Sequence, residues 1–164
     1  DSNCAIAFWS YRSEGEGLHV VGYEDSGDGS ERIVFRNTGQ LTIRTAAAAQ
    51  IVVDGVSEAG EWQHFAVTRN AGIIDVYRNG DLVISDMWSG ANTDEFSFDS
   101  IGRDHNYAES ENGLIAGVKV YNTALDLEDA RALYLQSIPT VRARKAFRGP
   151  AGSICFNPVF NPAS

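Results

Sequence analysis

Residues 62–85 read WQHFAVTRNAGIIDVYRNGDLVIS, and they constrain the fold more than any other part of the chain. Asn79-Gly80 is the pair that a two-residue type I′ turn asks for, because both central residues of that turn take positive φ. It predicts a hairpin of 73–78 with 81–85. Upstream, Asn70-Ala71-Gly72 divides 62–69 from 73–78, with Asn70 and Gly72 expected to supply positive φ. In the first run Trp62, His64, Ala66 and Thr68 share one face; Gln63, Phe65, Val67 and Arg69 share the other. Both faces carry large residues, as in a sandwich strand with one dry face and one partly covered face.

The same signature recurs along the chain. Strand-like runs occupy 4–11, 18–23, 32–37, 41–45, 51–55, 95–102 and 113–121, divided by Gly, Ser, Asp and Asn clusters. Short strands at spacings of roughly 8–12 residues indicate an all-β sandwich or barrel. One helix is predicted. Asp126 is a cap, Glu128 and Asp129 suit the positive end of the dipole, and Leu127, Ala130, Leu133 and Tyr134 repeat at helical spacing to about Ser137. Pro139 is expected to end it.

Charge divides the chain unevenly. Residues 1–137 hold all 22 acidic residues against nine basic ones, whereas 138–164 hold four basic residues and no acidic one. A body this acidic repels phosphate and argues against nucleic acid as a partner. No apolar run approaches the ~20 residues of a membrane span. With no initiator Met and no signal-peptide pattern, the chain reads as a processed product or an excised domain.

All four prolines follow Ser137, so 138–164 reads as a basic, extended arm beyond a domain of 1–137. Its charges, Arg142, Arg144, Lys145 and Arg148, and its apolar Phe147, Phe156 and Phe160 make it a contact element for other protein subunits, in a homo- or hetero-assembly. Cys4 and Cys155 have no metal-binding spacing; they form a disulfide if the chain ends meet, and otherwise remain two separate thiols.

The run W-Q-H-F-A-V-T-R, then I-D-V-Y-R-N-G-D-L-V, resembles the centre of laminin G-like and pentraxin-like jelly rolls of the concanavalin A type. Ser100-Ile101-Gly102-Arg103 resembles their I-G-R strand, and Gly113 to Leu125 resembles their G-x-I-D-E-V-R-I-Y-N-R-A-L run. Ala5 to Trp9 resembles the F-T-I-S-x-W strand, and Asp129 to Tyr134 the short helix. The resemblance covers about residues 4–137. It implies a two-sheet antiparallel jelly-roll sandwich with one short helix. Two departures stand out. The family's first strand is missing, and Ile154-Cys155-Phe156 could fill its place beside 4–11. Ala116 stands where the family often carries an acid.

Several sites follow as candidates. Glycoside hydrolysis needs two carboxylates about 5–10 Å apart across a cleft, and no alternating acid signature on one strand provides them. His64 reads as a half-buried strand histidine, hydrogen-bonded to its surroundings, rather than a base. Calcium takes oxygen ligands from rim loops in relatives, which makes Asp25, Asp28 and Glu31, or Asp104, Glu109 and Glu111, its candidate ligands; the alternative is that these acids are merely solvated. Trp88, Arg103, Asp104, His105 and Tyr107 could form a glycan-binding edge. The expected role is a non-catalytic binding or assembly module of a surface-exposed structure, extracellular, on a cell or on a virion. A carbohydrate-recognition domain is the alternative.

Overall fold

In a computed structural model, residues 3–22, 32–44, 50–87, 100–102 and 113–145 are described. Ten strands form two five-stranded antiparallel sheets. The first contains β1 (Cys4–Arg12), β6 (Trp62–Asn70), β7 (Ile73–Arg78), β8 (Asp81–Met87) and β10 (Gly113–Tyr121), in the order β10-β1-β6-β7-β8. The second contains β2 (Leu18–Gly22), β3 (Arg32–Phe35), β4 (Leu41–Arg44), β5 (Gln50–Val53) and β9 (Ser100–Ile101), in the order β5-β4-β3-β2-β9. The helix α1 spans Leu127–Lys145.

Alternation builds the core between the sheets. Ile6, Phe8, Phe65, Val67, Ile74, Val76 and Ile84 point inward from the first sheet. They meet Leu18, Val20, Ile33, Phe35, Leu41, Ile43 and Ile51 from the second. At the centre Phe65 lies 4.6 Å from Phe35 and 5.9 Å from Phe8, ring centre to ring centre. Burying each such ring is worth about 1.5–3 kcal/mol. Val20 and Val21 are neighbours and yet both are buried, because the β2–β3 register shifts between His19 and Val21.

The predicted Asn79-Gly80 turn is present, with φ of 52° and 86°. Asn79 also extends the β6–β7 ladder: its Oδ1 accepts the His64 N–H at 2.9 Å, and its own N–H bonds the His64 carbonyl at 2.8 Å. The other hairpin differs from expectation. Asn70 pairs with Ile73 as the last residue of β6, and the positive φ falls on Ala71 (47°) and Gly72 (88°). A left-handed alanine costs about 1–2 kcal/mol. The turn is held by the Asn3 side chain, whose Oδ1 accepts the Ala71 N–H.

The helix starts where the sequence indicates. Asp126 Oδ1 accepts the Asp129 N–H, and Asp129 Oδ2 accepts the Asp126 N–H, a reciprocal cap. It does not end at Pro139 but runs on to Lys145. Proline has a helical φ, but it lacks the N–H that would bond Leu135 and its ring crowds that carbonyl. Leu135 is 63% exposed, so the loss falls on the solvent side of the helix. The first part of the basic segment is therefore helical rather than extended.

A further correction concerns β1. Residues 4–11 pair with β6 and residues 5–12 with β10, so both edges of the strand are taken. The place proposed there for Ile154 to Phe156 is already filled within the sheet.

Candidate functional site

The residues singled out for ligand binding fall outside the described residues: Trp88, Arg103, Asp104, His105 and Tyr107, with the calcium candidates Asp25, Asp28, Glu31, Glu109 and Glu111. So do Phe147, Arg148, Phe156 and Phe160, and also Cys155. Arg142, Arg144 and Lys145 are placed on the backbone of α1.

The strand ends that carry these segments are placed. Gly22 pairs with both Arg32 and Ser100, Arg32 with Arg44, and Arg44 with Gln50. These five positions form one row across the second sheet. Segments 23–31 and 45–49 join strands at that row, and segment 88–99 runs from Met87 of β8, in the first sheet, to the row at Ser100. Asp25, Asp28 and Glu31 lie on the first of them and Trp88 on the last. Segment 103–112 runs the other way: β9 leaves the row from Ser100 through Ile101, which pairs with Val21, and β10 begins at Gly113, which pairs with Arg12 at the opposite end of the sandwich.

At the opposite end of the sandwich stands a residue that the sequence reading passed over. Arg12 is buried at the end of β1. Its Nη1 donates to the carbonyls of Asn37 (2.8 Å) and Glu16 (3.2 Å), and its Nη2 to that of Ser57 (3.0 Å). Burial pulls its pKa down from the usual arginine value. One guanidinium thus ties three loops. Gly39 lies against it with φ of 79°, and a Cβ there would strike the Ser57 carbonyl. A sequence signal existed: Arg12 continues the inward parity of Ile6 and Phe8, where a charge needs partners.

The outer face of the first sheet is covered by α1. Ala5, Ala7, Ala66, Tyr77, Leu125 and Ala130 form a small cluster there, flanked by Tyr121 and Leu133. Next to it His64 packs edge-on against Trp9 at 5.4 Å and lies 6.1 Å from Tyr134 of the helix. Trp9 Nε1 donates to Ser137 Oγ at 2.9 Å. His64 is not half-buried: it is 3% exposed, and its Nδ1 has no hydrogen-bond partner. Burial first, and Lys119 second, push its pKa from 6.5 to about 4. The ring is sealed and neutral, which suits packing and not proton transfer to a ligand.

An apolar cavity of about 50 Å³ opens beside Cys4, Ile6, Val67, Thr68, Arg69 and Val120. Sugar-sized ligands need several hundred Å³. Burial raises the Cys4 pKa, with Arg69 opposing, so the thiol stays protonated at neutral pH and is a weak nucleophile. Among the described residues no group of His, Cys, Asp and Glu could hold a metal ion, and no helix is long and apolar enough to cross a membrane.

Three solved structures show what this architecture is similar to. The receptor binding domain of botulinum neurotoxin mosaic serotype C/D matches with a TM-score of 0.62 at 20% identity, over 84% of this chain and 37% of that one. The botulinum neurotoxin serotype D ligand binding domain, in complex with N-acetylneuraminic acid, gives 0.61 at 17% identity, over 84% and 37%. A sialidase of Trypanosoma rangeli gives 0.65 at 18%, over 84% and 23%. The chain thus spans well under half of each of those proteins, and identities this low speak for the fold alone. No curated protein matches the sequence. The model of the concanavalin A-like lectin/glucanase superfamily, in its laminin G form, matches residues 1–131. Sandwich, register and sequence agree, and the chain belongs to the laminin G-like branch of the concanavalin A-like lectin/glucanase superfamily.

Proposed function

We propose that this chain is a non-catalytic recognition module of a surface-exposed or extracellular structure. The two sheets act as a rigid platform, and the segments rooted at the Gly22–Arg32–Arg44–Gln50–Ser100 row form the ligand surface. That row is the observation carrying the reading, because both ends of the segment bearing Asp25, Asp28 and Glu31, and the far end of the segment that begins at Trp88, meet at one sheet end. Carbohydrate is the ligand class, and calcium is the ion that the acidic segments would hold. The neurotoxin domain in complex with N-acetylneuraminic acid supports this choice by likeness of fold. Against catalysis stands the use of the described titratable groups: His64 is sealed by α1 and Arg12 is bonded to loop carbonyls. A glycan array probed with the full chain, with and without calcium, tests the reading. Binding that falls at least tenfold in Trp88→Ala, without hydrolysis of the bound glycan, supports it. A chain that binds no glycan, or hydrolyses one, sinks it.

A second reading, assembly through the C-terminal segment, rests on the length of α1. The helix carries Arg142 about 22 Å from the acids at its start, so one rigid element keeps them apart. The basic end then finds its counter-charge most readily on another molecule, a heterologous contact between copies or with other subunits. Light scattering of the full chain, beside a variant with Arg142, Arg144, Lys145 and Arg148 changed to Gln, tests it. Association that disappears in the variant supports assembly; two monomers end it.

A further inference from the structure

We propose that His64 is an acid-operated latch for α1: protonating its ring releases the helix from the sheet while the core between the sheets stays folded. Trp9 faces it from β1, Tyr134 from α1 and Lys119 from β10, and Asn79 of the β7–β8 turn bonds only its backbone. Nδ1 is buried without an acceptor, and Lys119 adds a like charge. Protonation would place a second N–H and a full charge in this site. Among the described residues no carboxylate contributes to the balance at the ring.

Two routes could rehydrate the charged ring. One is to open the sandwich, which would expose Phe8, Phe35, Phe65 and the aliphatic residues around them. The other is to lift α1, which would expose a smaller set: Ala5, Ala7, Ala66 and Ala130, with Tyr77, Leu133 and the Trp9 face that meets Tyr134. Among the described residues the inter-sheet core has sixteen buried members against six under the helix, four of these six being alanines that bury little apolar area, so the second route costs less. The fixed points lost on lifting are the Trp9–Ser137 bond, the Tyr134 ring contacts and the Arg131–Asp81 pair at the surface. The Arg131–Asp81 pair is exposed on both sides and contributes little.

The sign follows from burial. The docked ring has a pKa of about 4 and the released ring an ordinary value near 6.5. Helix docking is therefore strongest above pH 6.5 and weakens progressively as pH falls toward 4. The device bears on the second reading of function, since α1 is the stem of the basic segment, but it does not depend on that reading.

The test is hydrogen exchange on the full chain at pH 7 and pH 5, corrected for the intrinsic rate. Protection of the α1 amides from Ala130 to Ile138 is expected to fall about 20-fold, while that of Phe65 to Val67 in β6 holds. His64→Gln, neutral throughout, should flatten the profile. A titration of the three histidine imidazoles by NMR gives a readout on the unaltered chain, with His64 expected to stay neutral through pH 6. The proposal is overturned by constant α1 protection, by helix and core losing protection together, or by a His64 ring that titrates near pH 6.5.

Discussion

The two faces of the first sheet are packed in different ways. Its inner face meets a second sheet through Phe8, Phe65, Val67, Ile74 and Val76, all closely buried. Its outer face meets one helix through alanines, two tyrosines and a histidine that lacks a partner. The centre of the inner face is apolar and gains from every ring, and its buried polar groups, Arg12 among them, lie toward the strand ends. The outer face relies on a few hydrogen bonds and ring contacts. The difference teaches where the molecule is obligatory and where it is adjustable: the sandwich can stand without α1, but α1 has nothing to stand on without the sandwich.

The sharpest way to break the comparison is Phe65→Ala. It should cost about 3–5 kcal/mol and lower the urea midpoint for both regions together. If α1 unfolded alone in that variant, the hierarchy would be reversed. Next comes Gly39→Ala, which strikes the Ser57 carbonyl at a positive φ and loosens the Arg12 clamp. A loss of about 2–4 kcal/mol is expected in thermal unfolding, again global. Ser137→Ala then acts on the outer face only. It leaves Trp9 Nε1 without its acceptor and should cost about 1–2 kcal/mol, read as faster exchange in α1 with β6 unchanged. The smallest effect is a gain: Ala71→Asn relieves the left-handed alanine, and about 0.5–1 kcal/mol of added stability should appear in the urea midpoint.

These contrasts also explain what could be read from the sequence. Turn chemistry located the strands, because Asn79-Gly80 leaves few alternatives and alternation assigned the faces of β6 correctly. The cap at Asp126 and Asp129 is local and was equally legible. The misses involve partners far away in the chain. Arg12 is explained by carbonyls of Glu16, Asn37 and Ser57, which come together only in the fold. The depth of His64 depends on Tyr134 arriving from a helix seventy positions downstream. Pro139 looked like a stop because the rule concerns a lost bond, and solvent at Leu135 makes that loss tolerable. The pairing partner of β1 was misjudged because register between distant strands leaves no local trace. The ligand candidates were chosen by residue type on connecting segments; of these, the roots are placed by the ladders of the second sheet.

The Asn79 side chain has a consequence for how the molecule ages. An asparagine followed by glycine is chemically fragile, since an unhindered glycine nitrogen can close on the side-chain carbonyl and expel ammonia. Here that carbonyl is engaged by the His64 N–H, and Gly80 lies beneath Arg131 and Tyr134. The same bond that completes the ladder fixes the side-chain rotamer against β6, and α1 packs over Gly80. Closure of the side chain onto the next nitrogen would have to break that ladder bond first.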